Sequence, residues 1–212
     1  MVADKKTSLR SLSDYDRVTA RVVLCFLFLL QFAPLSFAQL YPFDHYTSKD
    51  GLLTDFVLSL CCDSRGYMWI GTNDGLSRYD GDAFRNYTIA DGLALSRVTC
   101  ITESRKEPGT LWIGTNGGGI SKLTNEKFNT IKLGKDRASN LISAVCQDAA
   151  GNLWCGTVDG LYRLIGDDFR PFMPIMYIGT VVGIDLSADG TLWVAFPDRM
   201  FMIPQGSDTP RG

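Results

Sequence analysis

The stretch that decides the fold runs from Asp63 to Gly81 and reads Asp-Ser-Arg-Gly-Tyr-Met-Trp-Ile-Gly-Thr-Asn-Asp-Gly-Leu-Ser-Arg-Tyr-Asp-Gly. Its centre recurs around every tryptophan of the chain, with a glycine three residues before and an apolar residue one before. The tryptophans are Trp69, Trp112, Trp154 and Trp193, which gives a repeat of about 40 residues. Glycine and threonine follow in the first three repeats, whereas the fourth has Ala195 and Phe196 at those positions.

Each repeat consists of short apolar segments separated by turn residues. In the second repeat we predict strands at Val98–Glu103, Leu111–Thr115, Ile120–Leu123 and Phe128–Leu133. Gly, Asn and Pro between them favour turns, and the segments are too short for helices. Four short strands in 40–45 residues are typical of a β-propeller blade. We therefore predict an all-β protein of about four blades, each a four-stranded antiparallel sheet.

The Leu-Trp-Ile run at the repeat centre fits a strand that is covered on both sides. Neighbouring side chains of a strand point to opposite faces, and a propeller blade has a neighbouring blade on each face. We predict that the tryptophans pack between blades rather than contact a ligand. We also predict that the glycine two residues later allows close blade contact or a bulge.

Repeat boundaries follow from the same alignment. The string Phe43-x-x-Tyr46-Thr47-x-x-Asp50-Gly51-Leu52 recurs from Phe84 to Leu93, so residues 41–47 are predicted as an outer strand without its own blade. The fourth repeat has only three predicted strands. The predicted propeller region is 39–203, with repeats at about 48–90, 91–134, 135–177 and 178–203 and a polar tail at 204–212.

The first 38 residues have the order of a secretory signal. A charged region is followed by the apolar run 22–33, and Ser36-Phe37-Ala38 then places small residues where a signal peptidase reads them. We predict cleavage after Ala38 and a periplasmic or secreted chain. The alternative is an uncleaved anchor, but the apolar run is short of the ~20 residues needed to span a bilayer.

Composition excludes several classes of function. The net charge of −2 over 212 residues gives no basic footprint for nucleic acid. The chain has one histidine, His45, and no Cys-x-x-Cys, so we predict neither a metal site nor a cofactor. The cysteines after residue 38 are predicted to be small buried thiols in strands, with a disulfide framework as the alternative. They are Cys61, Cys62, Cys100, Cys146 and Cys155.

Candidate ligand-binding residues lie in two kinds of loop that share one face of a propeller. Loops between the second and third strands contain Asn73, Asp74, Asn116 and Asp159. Loops that enter each blade contain Asp55, Phe56, Ser96, Arg97 and Asn140. Such side chains suit sugar hydroxyls and ring faces. Turn chemistry alone also explains the first set, whereas for Phe56 and Arg97 the two explanations are balanced.

The stretch Asp63–Gly81, with Asp50-Gly51-Leu52 before it and Phe84-x-x-Tyr87 after it, resembles the two-component regulator propeller repeat. The resemblance extends over residues 41–203. It implies seven-bladed propellers in the periplasmic sensor regions of bacterial receptors. Their output is commonly a histidine kinase, often hybrid and acting in a phosphorelay, and sometimes a diguanylate cyclase, and it is expected only in further sequence. Several such receptors of gut bacteria sense glycan fragments. With about four repeats, this chain is expected to be a truncated piece of such a receptor.

Two questions stay open at this level. The strands could close a four-bladed ring, but blade taper in this family suits a wider ring, so we favour an open arc. We expect a non-catalytic, ligand-sensing segment for a small molecule or glycan, attached to a membrane only through further sequence. Exposed blade edges could support self-association. The alternatives are a secreted enzyme resembling a lyase or glycosidase, which needs a convergent acid–base set, and a purely protein-binding propeller.

Overall fold

The computed structural model describes residues 19, 21–22, 43–172, 179–207 and 209–211. The predicted signal sequence, residues 1–38, lies outside the described residues except for Thr19, Arg21 and Val22. Within the described part, none of the helices combines the length and apolar character needed to cross a membrane. Residues 45–212 form one compact unit, and the fold below is that of this unit.

The described residues form strands grouped in antiparallel sheets, one per repeat, which we call blades 1 to 4. Blades 1 and 2 consist of β1 (Val57–Cys62), β2 (Met68–Thr72), β3 (Leu76–Tyr79), β4 (Phe84–Tyr87), β5 (Val98–Glu103), β6 (Leu111–Thr115), β7 (Gly119–Thr124) and β8 (Lys127–Ile131). Blades 3 and 4 consist of β9 (Ile142–Gln147), β10 (Leu153–Thr157), β11 (Gly160–Ile165), β12 (Asp168–Pro171), β13 (Gly183–Leu186), β14 (Leu192–Ala195) and β15 (Met200–Ile203).

Strand order within each sheet follows the sequence, as a propeller blade requires. The predicted strands of the second repeat are confirmed, two of them to the residue and the others shifted by one or two residues at their ends. The prediction of three strands in the fourth repeat is also confirmed within the described residues. The described residues therefore form a partial propeller of four blades.

Within the described residues, neighbouring blades pack on one another through three apolar clusters that are built in the same way. In the first, Trp69 of blade 1 is buried with Leu111 and Ile113, the residues that flank the tryptophan of blade 2. The second and third clusters place Trp112 on blade 3 and Trp154 on blade 4 in the same way. Trp69, Trp112 and Trp154 thus face the next blade, and the residues that flank the tryptophan in blades 2, 3 and 4 face the previous one, which confirms the predicted packing role for these three tryptophans.

The glycine two residues after the tryptophan of blades 1, 2 and 3 marks a close approach to the next blade. A methyl group added at Gly114 would lie 2.6 Å from Ile142 Cγ2 of blade 3, and one at Gly156 would lie 2.5 Å from Val181 Cγ1 of blade 4. Real Cβ atoms do not approach other atoms that closely. The predicted close contact is confirmed, and the register shift that accompanies it lies on the neighbouring inner strand, as between Val98 and Cys100.

A carboxylate six residues before the tryptophan fixes the indole in two of the blades. Trp69 Nε1 donates to Asp63 Oδ2 at 2.9 Å, and Trp154 Nε1 donates to Asp148 Oδ2 at 3.0 Å. In blade 2 the turn is longer and no carboxylate is in place. The buried Trp112 Nε1 accordingly finds no acceptor among the described residues.

The two ends of the blade series leave apolar residues uncovered. Val57 is 44% exposed, although its counterparts Val98 and Val181 are 0% exposed. At the other end Met200 is 55% exposed, whereas its counterpart Leu76 is 0% exposed. The blades form an open arc, as predicted, because a closed ring would cover both faces.

Three sequence predictions need adjustment. Residues 43–47 form no strand in the structure, because an outer strand needs a third strand beside it; residues 41 and 42 of that prediction lie outside the described residues. The predicted polar tail is anchored at Arg211, whose backbone pairs with Met202. The described cysteines all lie in strands and none is disulfide-bonded, but only Cys155 is fully buried and Cys62 is exposed.

Candidate functional site

The threonine that ends the second strand of each complete blade closes the turn into the third strand. The hydroxyls of Thr72, Thr115 and Thr157 each donate to the carbonyl of the glycine that starts the next strand or immediately precedes it, at 2.9 Å. All three threonines are fully buried. Their role explains the Gly-Thr pair of the repeat, and it leaves the turn residues between these strands at the surface.

These turns lie beside the loops that enter each blade. Asn73 N donates to Phe56 O at 3.3 Å in blade 1, and Asn116 N donates to Arg97 O at 3.0 Å in blade 2. Blade 3 has the same contact between Val158 N and Leu141 O at 3.3 Å. The two kinds of loop therefore share one face of the arc, which we call the loop face.

The predicted site residues differ in how accessible they are. Phe56 is 68% exposed on the loop face, and Asp55, Asp74 and Arg97 are also exposed. The half-buried members of the set are Ser96, Asn73, Asn116 and Asp159. An aromatic ring and a guanidinium thus stand out in the loops that enter blades 1 and 2.

Asn140 is a predicted site residue whose side-chain amide is hydrogen-bonded to the backbone of its own loop. It is 3% exposed, and its Oδ1 accepts a hydrogen bond from Leu133 N at 3.0 Å. Its Nδ2 donates to Gly134 O at 2.8 Å and to Asp136 O at 2.7 Å. Because its amide is already bonded, we leave Asn140 out of the site proposed below.

Two carboxylates of the set also have partners within the chain. Asp55 Oδ1 accepts from Ser48 N at 2.6 Å, and Asp159 Oδ2 accepts from the hydroxyl of Tyr162 at 2.8 Å. Burial, together with the bond to Asp159, raises the pKa of Tyr162 to about 12, so this hydroxyl stays protonated and keeps donating. Asn73 is the opposite case, since its buried Oδ1 has no donor among the described residues.

Sequence reasoning missed two apolar residues on the loop face. Val158 is 41% exposed at the turn position where the first two repeats have Asn73 and Asn116. Leu95 is 36% exposed just before Ser96. The sequence feature that could have revealed Val158 is a hydrophobic residue at a turn position that is asparagine in the first two repeats. With Phe56, these residues give the loop face an apolar component in addition to the charged Arg97.

A separate cleft of about 410 Å³ lies among the turns between first and second strands, away from the loop face. It is lined by Arg105, Ala149 and residues 186–190, with Gln205. Asp189 at its rim is bonded to Ser187 Oγ and Thr191 N, which is turn chemistry. Within the described residues no group of three or more His, Cys, Asp or Glu could hold a metal ion.

Comparison with known proteins identifies the repeat. Residues 51–74 and 136–159 match the family model described as the two component regulator propeller. Two segments of this chain, one in the first repeat and one in the third, are similar to the two-component regulator propeller repeat. The matched segments include the Trp69 strand with its Asp63 turn and the corresponding Trp154 strand with its Asp148 turn. The hydrogen bonds from these two indoles to these two carboxylates therefore lie within the matched segments.

Several relatives share parts of this chain. Histidine kinase P4 of Formosa agariphila is 38% identical over 47 residues, which is 22% of this chain and 3% of that protein. The extracellular domain of a putative hybrid two-component system from B. thetaiotaomicron is 18% identical with a TM-score of 0.65, covering 79% of this chain and 26% of that one. Virginiamycin B lyase from Staphylococcus aureus is 17% identical with a TM-score of 0.61, covering 74% and 54%. The likeness to these structures concerns the fold.

Proposed function

We propose that this chain is an extracytoplasmic, ligand-sensing propeller segment of a bacterial two-component signalling receptor of the hybrid histidine kinase kind. The repeats match a regulator propeller, and sequence similarity to a histidine kinase supports the signalling role. The proposed ligand is a small molecule or glycan bound on the loop face. The observation that carries the proposal is the exposure of Phe56 and Arg97 in loops where the surrounding repeat positions are committed to packing.

The carboxylates of the repeat support a role without catalysis in this chain. Asp63 and Asp148 accept hydrogen bonds from buried indoles. Asp50 and Asp91 close capping boxes of short 3-10 turns. Asp159 is bonded to a tyrosine hydroxyl. Acid–base catalysis needs a convergent pair of carboxyls near a substrate; these groups are distributed along the blades and are occupied, which disfavours the lyase or glycosidase alternative.

The test is Arg97→Ala in the intact receptor, read as the dose response of signalling to ligand. A charge-assisted hydrogen bond contributes about 1.5–3 kcal/mol, so the half-maximal ligand concentration is expected to rise at least about tenfold. Arg170→Ala removes another exposed arginine, on the outer strand β12, and serves as the matched control. An unchanged dose response for Arg97→Ala with an unaltered fold would remove this residue from the site.

Phe56→Ala tests the apolar half of the same site. A ring that stacks on a sugar or another planar group contributes through buried area, and its removal is expected to weaken the response by a similar factor. Because Phe56 is mostly exposed, its removal has little effect on the free energy of unfolding. A loss of response that accompanies unfolding would instead assign Phe56 to packing.

A further inference from the structure

The last residue of the first strand in blades 2 and 3 bonds a turn of the preceding blade. Glu103 Oε2, at the end of β5, accepts a hydrogen bond from Ser64 N of blade 1 at 2.8 Å. Gln147 Oε1, at the end of β9, accepts one from Arg105 N of blade 2 at 2.6 Å. Each donor lies two residues after the end of the first strand of its own blade. At both interfaces a side-chain oxygen therefore holds a backbone N–H group of the preceding turn.

The interface between blades 3 and 4 has no such oxygen. Leu186 ends β13 at the position of Glu103 and Gln147, and its side chain is apolar. The corresponding donor is Ala149 N, which has no acceptor among the described residues. Leu186 and Ala149 both line the cleft of about 410 Å³ described above. We call it the turn cleft, and its lining consists of Arg105, Ala149, residues 186–190 and Gln205. The turn cleft thus lies where the other two interfaces have a carboxylate or a carboxamide.

The polar groups that line the turn cleft favour an anion. Arg105 is exposed, and its guanidinium makes no ion pair within the part of the chain that the structure describes. Gln205 is also exposed, and its side-chain amide can donate hydrogen bonds. Asp189 is the acidic residue of the lining, and its Oδ1 already accepts two hydrogen bonds within its own turn. The lining therefore offers a cation and the N–H groups of Ala149 and Gln205 against one carboxylate.

We propose that the turn cleft binds the carboxylate of a small organic acid. One carboxylate oxygen accepts a hydrogen bond from Ala149 N, as Glu103 Oε2 accepts one from Ser64 N in blade 1. The guanidinium of Arg105 pairs with the negative charge, so a carboxylate binds more tightly than a neutral amide. The cleft is large enough for a monosaccharide acid or for the end of a peptide. The proposal is independent of any ligand on the loop face, because the turn cleft lies among other turns.

The test follows the backbone amide of Ala149 by NMR in the purified, nitrogen-15-labelled chain. D-glucuronate and acetyl-diglycine, which carries the carboxylate of a peptide end, are titrated at constant ionic strength. D-glucose and acetyl-diglycine amide are the neutral matches. The Ala149 amide resonance is expected to shift and saturate with at least one of the acids, and the acid that binds more tightly identifies the source of the carboxylate. The proposal is overturned if neither acid shifts this resonance at concentrations up to about 50 mM, or if the neutral matches shift it equally.

Variants with matched controls assign the binding to the turn cleft. Arg105→Ala is expected to raise the dissociation constant of the acid at least about tenfold. Arg170→Ala removes an exposed arginine of β12, outside the cleft, and should leave the dissociation constant unchanged. Leu186→Gln gives blade 4 the amide oxygen that Gln147 gives blade 3, so the Ala149 resonance should be shifted without acid and the acid should no longer move it. Leu186→Met adds no oxygen and should bind the acid as wild type does.

Asp189→Asn removes the negative charge of the lining but keeps the Oδ1 acceptor of the turn, so it should lower the dissociation constant. The proposal is wrong if Arg105→Ala binds the acid as tightly as Arg170→Ala, or if Leu186→Gln binds it as tightly as Leu186→Met. Should Leu186→Gln unfold, Arg105→Ala and Asp189→Asn decide the test, because both change exposed side chains.

Discussion

Gly114→Ala should destabilise the protein because it places a methyl group in the contact between blades 2 and 3. The new Cβ would lie 2.4 Å from Cys100 Sγ, 2.6 Å from Ile142 Cγ2 and 3.0 Å from Ile142 Cβ. The thiol can rotate away. Ile142 cannot do so easily, since it is β-branched, buried and held by the strand pairing. The overlap with Ile142 therefore has to be relieved by separation of the blades.

The expected loss is the difference between two opposing effects. Overpacking of a close-packed interior costs about 1–3 kcal/mol. Replacing glycine by alanine restricts the unfolded chain and returns about 0.4–1 kcal/mol. We therefore expect Gly114→Ala to lower the free energy of unfolding by about 1–2 kcal/mol. Urea unfolding followed by tryptophan fluorescence measures this as a lower midpoint at unchanged slope.

Gly183→Ala is the matched control, since a methyl group there has no atom within 4 Å and its backbone needs no left-handed conformation. It should be neutral or slightly stabilising. A cycle with Ile142→Ala adds a second check, because removal of the isoleucine side chain should cost less in the Gly114→Ala background than alone. If Gly114→Ala proves as stable as Gly183→Ala, the explanation of the repeat glycine by close blade contact is refuted.

The remaining predictions concern polar contacts at the turns. Asp63→Ala leaves the Trp69 indole without its acceptor and should lower the free energy of unfolding by about 1–3 kcal/mol in the same urea assay. Burial alone would raise the pKa of Asp63, but hydrogen bonds from Trp69 and backbone N–H groups more than offset it and hold the pKa below its ordinary value. This contribution is complete above the ordinary aspartate value of about 4 and is lost as pH falls through the lowered one, so the difference between wild type and Asp63→Ala should shrink in acid titration. The carboxylate of Glu103 accepts hydrogen bonds from Ser64 N at 2.8 Å and from Gly109 N at 2.7 Å. Glu103→Ala removes both acceptors and should lower the free energy of unfolding by about 1–2 kcal/mol, measured by thermal unfolding. An unchanged melting midpoint would show that water replaces the carboxylate.

Most of the fold could be predicted from the repeat, because residues at equivalent repeat positions make equivalent contacts in different blades. Trp69 and the residues around it recur with their spacing intact, so the strands and the packing between blades could be predicted from one stretch. The three-stranded fourth blade was predictable for the same reason. The position of residues 43–47 was not, because whether an extended segment becomes a strand depends on a neighbour that its own sequence does not contain.

The candidate site was less predictable, because a polar residue at a turn can face a ligand or bond its own loop. Asn140 and Arg97 both precede the first strand of a blade, yet one is 3% exposed and fully bonded while the other is exposed. The difference arises from the loop around residues 133–140, whose backbone groups surround the Asn140 amide. Composition and spacing do not show which backbone groups surround a side chain. Only the structure therefore distinguishes the bonded Asn140 from the exposed Arg97.

The difference between residues that pack between blades and residues that stand on loops also bears on the ligand recognition proposed for this chain. The glycine, tryptophan and threonine of the first three repeats make blade contacts and close turns, so their substitution is expected to destabilise the arc before it alters binding. Phe56, Arg97 and Val158 differ from them, because it is the backbone atoms of these residues, Phe56 O, Arg97 O and Val158 N, that make the hydrogen bonds between neighbouring loops. A change of their side chains leaves those bonds in place. The recognition proposed for the loop face can therefore vary with few residues while the blades stay unchanged. For this reason Arg97→Ala is expected to alter the ligand response without altering stability, whereas Gly114→Ala is expected to lower stability.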